Sequence, residues 1–194
     1  MKQKFCLFTL LLFISCGAVF AQSKKGEEDL QYKLLATKKT STMQKELDET
    51  AAKGYRILVG SPTSGTEMAI FLSREASAEN PYKYKLLATT RTGTMQKELN
   101  EAAAEGYRLL PRTMIAKAQI LVGIEIVVIL EKPPVVEKLY DYKLLATTLT
   151  GTLQKEVTEA QAAGYVIVGM VSRDEHMVIM EKESNKTPTA SVKN

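Results

Sequence analysis

The sequence predicts an α+β fold: three tandem β-α-β-β (split β-α-β) repeats packed into one compact body. Three observations carry that expectation. First, one phrase is said three times, as YKLLATKKTSTMQKEL (32–47), YKLLATTRTGTMQKEL (84–99) and YKLLATTLTGTLQKEV (142–157), at spacings of 52 and 58 residues. Self-similarity at such a period marks a repeat architecture. Second, each phrase passes from a short strand-like run through a Thr-rich turn into apolar residues at helical spacing. Third, each is followed by Gly-Tyr and two further strand-like runs.

The first strand of a unit, Tyr84 to Thr90 in the second, holds Tyr and two Leu with Lys85 among them. A helix then spans about Met95 to Glu105. Met95, Leu99, Ala102 and Ala103 fall at i, i+4, i+7 and i+8, one apolar stripe. Met43, Leu47 and Ala51 repeat it, as do Leu153, Val157 and Ala160. Thr42, Thr94 and Thr152 are placed to cap the helix starts through their hydroxyls. Gly54, Gly106 and Gly164 follow the last periodic residue, where a left-handed residue is expected. Lys45–Glu49, Lys97–Glu101 and Lys155–Glu159 are i,i+4 pairs suited to a solvated face.

A second strand begins at Tyr55, Tyr107 and Tyr165. A third covers Met68 to Leu72, Ile120 to Leu130 and His176 to Met180. Short polar loops join the two as hairpins in the first and third units, while the second has a longer link, PRTMIAKA. The third strand is the most uniformly apolar, which places it centrally, between two strands parallel to each other. One helix covers one face of such a sheet, and a unit of about 50 residues is small for a separate core. The sister units are therefore expected to bury the other face. The resulting division is a signal peptide at 1–21, repeats at 30–75, 82–132 and 140–182, and a disordered tail at 183–194.

Lys2 and Lys4, the apolar run from Phe5 to Ile14, and Val19 and Ala21 before Gln22 have the layout of a secretory signal peptide. That predicts an exported chain, periplasmic or extracellular, with no transmembrane segment after cleavage. Cys16 offers an alternative, a lipoprotein anchored through that residue. Both cysteines, Cys6 and Cys16, lie in the leader, so the mature chain has no thiolate chemistry and no disulfide. The whole chain carries +4; without Lys2 and Lys4 it carries +2. A charge so near neutral argues against nucleic acid as a partner.

LNEAAAEGYRLL, from Leu99 to Leu110, resembles a small family of bacterial domains of unknown function. Those domains open with a Tyr-Lys-apolar strand. A short helix ending Glu-Gly-Trp or Glu-Gly-Tyr and a strand beginning Arg/Glu-Leu-Val follow. The segments from Lys53 to Val59 and from Ala163 to Val168 match less fully, and Tyr stands where Trp is common. The resemblance implies the β-α-β-β unit and brings no activity or catalytic residue with it.

The Thr-rich turns, each feeding a helix N-terminus, are the best functional candidates. Thr40 and Thr42, Thr92 and Thr94, and Thr150 and Thr152, with Lys38, Lys39 and Arg91, could hold a phosphate or carboxylate on backbone N–H groups. Helix capping alone explains the same residues, and Leu149 replaces the basic residue in the third turn. His176, the only histidine, stands near Ser172, but no nucleophile-elbow motif surrounds it. No metal-ligand pattern and no cofactor motif is present. The six repeated tyrosines are expected in core or rim packing. The sequence thus predicts a non-enzymatic binding or structural protein of the bacterial envelope or outside. Its partner and its oligomeric state are undetermined. A hydrolase using carboxylates, or His176 with Ser172, is the alternative.

Overall fold

The structure, a computed structural model, describes residues 30–63, 66–75, 78–119 and 123–188. The expected signal peptide, 1–21, and its expected cleavage site lie outside the described residues. The chain is α+β. Its first unit runs β1 (Tyr32–Thr37), α1 (Thr40–Ala51), β2 (Tyr55–Pro62) and β3 (Met68–Arg74). The second runs β4 (Lys83–Thr89), α2 (Thr92–Ala104), β5 (Arg108–Leu109), a 3-10 turn at Pro111–Thr113, β6 (Ile115–Gln119) and β7 (Gly123–Lys132). The third runs β8 (Tyr140–Thr147), α3 (Thr150–Ala162), β9 (Val166–Ser172) and β10 (His176–Glu183).

In each unit the last strand is central. The orders are β1-β3-β2, β4-β7-β5 with β6 also on β7, and β8-β10-β9, and every pairing is antiparallel. The first two strands flanking the centre are therefore parallel to each other and not adjacent. Val127 to Leu130 in β7 and Met177 to Met180 in β10 are buried on both faces, which is why these runs are continuously apolar rather than alternating.

The helices end as their sequence dictates. Gly54, Gly106 and Gly164 have φ of 83°, 92° and 87°. At α2 the Gly106 N–H donates to Ala103 O and the Tyr107 N–H to Ala102 O, a Schellman closure. The helix starts differ from expectation. Each begins at Thr40, Thr92 or Thr150, and the capping positions are Lys39, Arg91 and Leu149, with no side-chain cap bond. Thr42, Thr94 and Thr152 lie inside the first turn and cap nothing. The turn is instead closed one step earlier, where the Thr37, Thr89 and Thr147 hydroxyls accept from the N–H of Lys39, Arg91 and Leu149.

The second unit departs most. Its link is not a loop: it holds the 3-10 turn and β6, which pairs with β7 from Ile115↔Val127 to Gln119↔Gly123. Pro111 has no N–H to give a ladder, so β5 stops at Leu109 and the chain re-enters the sheet as a separate strand. At the C-terminal end β10 runs on to Glu183, and Ser184 N–H donates to Leu139 O. The tail expected from residue 183 thus begins inside the sheet, and residues 189–194 lie outside those described.

The units stack in one direction. α1 covers one face of its own sheet, and the far face of the second sheet closes over it. Met43 and Leu47 of α1, with Leu35 and Ile70 behind them, meet Tyr84 and Ile129 of the second unit in one core. Met95 and Leu99 of α2 meet Tyr142 and Ile179 of the third in the next. The layers therefore alternate sheet, helix, sheet, helix, sheet, helix. Met43, Leu47, Met95 and Leu99 are fully buried, each worth about 1.5–3 kcal/mol of apolar burial. α3 has no sheet beyond it, and only Ala160 of that helix is buried.

Truncating Leu99 to Ala should cost about 2–5 kcal/mol in urea denaturation, since the cavity opens in a core shared by two units. The helix-end glycines should separate into two grades. A Cβ at Gly164 meets nothing within 4 Å, whereas at Gly106 it comes within 2.8 Å of Val136. Gly164→Ala should cost about 1–2 kcal/mol for the left-handed backbone alone, and Gly106→Ala measurably more.

Candidate functional site

The two joints between units are built alike. Tyr84, at the start of the second sheet, passes its ring into the first core and places its hydroxyl 3.1 Å from the Ile57 N–H, which donates to it. The same hydroxyl donates to Glu131 Oε2 at 3.0 Å. Glu131 also receives Arg56 in a two-pronged pair, Nη2 to Oε1 at 2.8 Å and Nε to Oε2 at 3.0 Å. That guanidinium lies over the Tyr82 ring, its carbon 4.3 Å from the ring centre. At the second joint Leu109 N–H donates to Tyr142 OH at 2.8 Å, and Tyr142 OH donates to Glu181 Oε2 at 3.1 Å. Arg108 pairs with Glu181 at 2.5 Å and stacks 4.2 Å from the Tyr140 ring.

These geometries fix the protonation states. Burial, with the nearby Glu131 and Glu181 carboxylates, pushes the Tyr84 and Tyr142 hydroxyls well above the usual tyrosine range. Both remain neutral donors. Hydrogen bonding to Glu131 and Glu181 pushes Arg56 and Arg108 upward. Glu131 and Glu181 are almost fully buried, so each depends on its Arg and Tyr donors.

A second contact runs through glutamine. The Gln44 amide of α1 donates to Tyr84 O at 3.0 Å and accepts from Leu86 N–H at 2.7 Å. Gln96 of α2 does the same to Tyr142 O and Leu144 N–H, at 2.9 and 2.7 Å. Each amide thus acts as a strand would, satisfying the free edge of β4 or β8. Asn100 adds a bond from Tyr142 N–H.

Alongside both joints opens a cleft of about 550 Å³. Arg56, Tyr82, Arg108 and Tyr140 line it with Pro133 and the strongly exposed Val135. The two Arg-Tyr stacks therefore face one shared space, a wall with planar cationic and aromatic surfaces.

The three Thr-rich turns lie at separate helix starts and do not converge. Two are held by the hairpin of the following unit. Lys117, almost fully buried, donates to Lys38 O at 2.8 Å and pairs with Glu125 at 3.4 Å. Arg173 donates to Thr90 O at 2.5 Å and to Thr92 Oγ1 at 2.9 Å. Thr92 in turn donates to Glu175 Oε1. The N-terminus of α2 therefore already faces a carboxylate from its own chain. The bond from Arg173, with that from Thr92, holds Glu175 below the usual carboxylate range. Arg91 and Thr94 are exposed, as are Thr150 and Thr152 at α3. Thr40 and Thr42 are half-buried.

His176 Nδ1 lies 3.3 Å from Ser172 Oγ, across the β9–β10 hairpin where the two residues pair. The neighbouring Glu175 is engaged by Arg173 and Thr92, on the other side of the hairpin's sequence. Among the described residues, no group of three or more His, Cys, Asp or Glu is placed to hold a metal ion, and no helix is long and apolar enough to cross a membrane.

Sequence reasoning expected Tyr84 and Tyr142 in core or rim packing but missed their hydroxyl chemistry, along with Arg56, Arg108, Glu131, Glu181, Gln44 and Gln96. One signal was available. Glu131 and Glu181 each follow a continuous apolar run, and a carboxylate carried inward by such a strand demands partners. No family model, curated protein or solved structure matches this chain.

Tyr142→Phe should cost about 1–3 kcal/mol, because it leaves the buried Leu109 N–H without its acceptor and takes from Glu181 one of its donors, leaving only Arg108. The two raised tyrosines also set an alkaline limit. Folded chains keep these protons while unfolded chains release them above about pH 10, so stability falls as pH rises past that point. The fall should be shallower in Tyr142→Phe. For Glu175 the sign reverses. Its depressed value stabilises the fold above the ordinary Glu range, and the benefit is lost as pH falls through the folded value. The stability lead of the wild type over Glu175→Gln should be full above about pH 5 and shrink on acidification.

Proposed function

We propose that this is an exported, non-enzymatic repeat protein with a binding or structural role in the bacterial envelope or outside, and that the cleft along the two joints is its recognition surface. The doubled Arg-Tyr wall carries this reading. Each guanidinium lies over a tyrosine ring and is tied by its N–H groups to a carboxylate, and both Arg-Tyr pairs line the cleft. Groups locked in ion pairs and neutral phenols far from titration suit recognition rather than proton transfer. The signal-like leader supports export. The near-neutral charge supports a partner other than nucleic acid.

The test is capture from envelope extracts by the purified chain and by a Val135→Asp variant, which puts a charge into the cleft at an exposed position. The reading predicts a partner retained by the wild type and lost by the variant. Capture indifferent to Val135 would move recognition away from the cleft.

A second reading, a hydrolase, rests on the contact between Ser172 and His176. A broad esterase and amidase screen addresses it: turnover that disappears in both Ser172→Ala and His176→Ala would overturn the non-enzymatic reading. Equal background in all three proteins supports it.

A further inference from the structure

The stack has two unlike ends, and each repeats half of a joint that the chain already makes twice. At one end is the far face of the first sheet. Tyr32 and Phe71 there are 60% and 46% exposed, while Tyr84 and Tyr142, and Ile129 and Ile179, their counterparts in the later sheets, are 0–3% exposed. Leu34 is 50% exposed where Leu86 and Leu144 are half-buried. The register establishes the correspondence: Tyr32 pairs with Ser73 as Tyr84 pairs with Glu131 and Tyr142 with Glu181. At the other end is the face of the third unit that no sheet covers. Val166 and Ile167 are 59% and 56% exposed, whereas Ile57 and Leu109, in the place of Ile167, are 4% and 3% exposed.

We infer that these ends bind each other, so that the α3 face of one molecule takes the first sheet of a second copy in a head-to-tail joint. Four further observations fit the two surfaces together. Gln154 stands where Gln44 and Gln96 hold the next strand edge, but its side chain folds back on its own helix toward Thr158, at 3.4 Å. It is thus available for the backbone of β1, as its counterparts are engaged by β4 and β8. Charge is matched by joint omission. Val166 replaces the Arg of the internal joints and Ser73 replaces the Glu, so neither half of that ion pair is left to be buried alone when the ends meet.

The hairpins agree as well. Glu67 holds the position of Glu125 and Glu175, one residue before those paired with Thr37, Thr89 and Thr147, and accepts from Thr63 where the others have Lys117 and Arg173. In the joint it faces the start of α3, as Glu175 faces the start of α2. Lastly, Met170 replaces Gly60, the close approach point of Thr113 in the second unit's 3-10 turn. The first unit carries no such turn, so the larger side chain meets a plain strand. Each surface is apolar rather than polar, unlike the capping units that close a solitary stack.

Such a joint uses different surfaces on the two molecules and is heterologous, so association continues into a ring or a filament rather than stopping at a symmetric dimer. The test is analytical ultracentrifugation of the purified chain and of two variants. Leu34→Glu blocks the first-sheet end, and Ile167→Glu blocks the α3 end. The wild type should grow in mass with concentration. Each variant alone should remain monomeric, since every possible joint then includes one blocked face. A mixture of the two should form a one-to-one dimer through the single intact pair of faces. Unchanged circular dichroism and melting of each variant shows that folding is retained, and Phe71→Glu with Met170→Glu form a second pair if either fails to fold. A wild type monomeric throughout overturns the inference. So does self-association that survives either variant alone, or a mixture that does not associate.

Discussion

The structure depends on the hydroxyl of a tyrosine that crosses from one unit into the next. A backbone N–H beside a bulge and a nearly buried carboxylate both need a partner where water is excluded, and unmet groups of this kind cost about 1–3 kcal/mol each. Tyr84 meets both needs at once, taking the Ile57 N–H and giving its own proton to Glu131. Tyr142 repeats this for Leu109 and Glu181. The carboxylate then fixes its arginine, the arginine fixes the stacked Tyr82 or Tyr140, and these form the wall of the cleft. One contact thus links stability to the surface offered to a partner.

The same logic explains why the units stack in a single direction. In α1 and α2 the Met and Leu of the apolar stripe sit between their own sheet and the next, with Gln44 or Gln96 beside them reaching the next sheet's edge. Gln44 and Gln96 can satisfy an exposed strand edge only if it arrives in one orientation, with a carbonyl and an N–H two residues apart. That requirement makes the joint directional, and a directional joint leaves two unlike ends. The replacements Ser73 and Val166 remove the ion pair at the two faces that no other described unit covers.

Much of this fold was legible in the sequence because it rests on local rules. The helix stripe from Met95 to Ala103, the left-handed glycines and the uniformly apolar third strand all mean what they mean regardless of neighbours. The helix starts were misread because three threonines compete for one role. Thr42, Thr94 and Thr152 have suitable chemistry, but Thr37, Thr89 and Thr147 close the turn first. The extra strand β6 was hidden in PRTMIAKA, where Pro111 marks the break but not the return to the sheet. The joint itself was not legible. The apolar run before Glu131 marks that carboxylate as one that needs partners, but Arg56 is 75 residues away in sequence, and nothing local names it as the partner. Register and stacking, which are tertiary facts, bring them together.

The most direct test of the central claim is amide hydrogen exchange at Ile57 and Leu109. If the tyrosine hydroxyls join the units into one cooperative body, both amides should exchange only through global unfolding, at the same free energy as the core amides of β7. Exchange at those two positions as fast as at an exposed strand edge, while the cores remain protected, would mean that the joints open independently and do not hold the stack together.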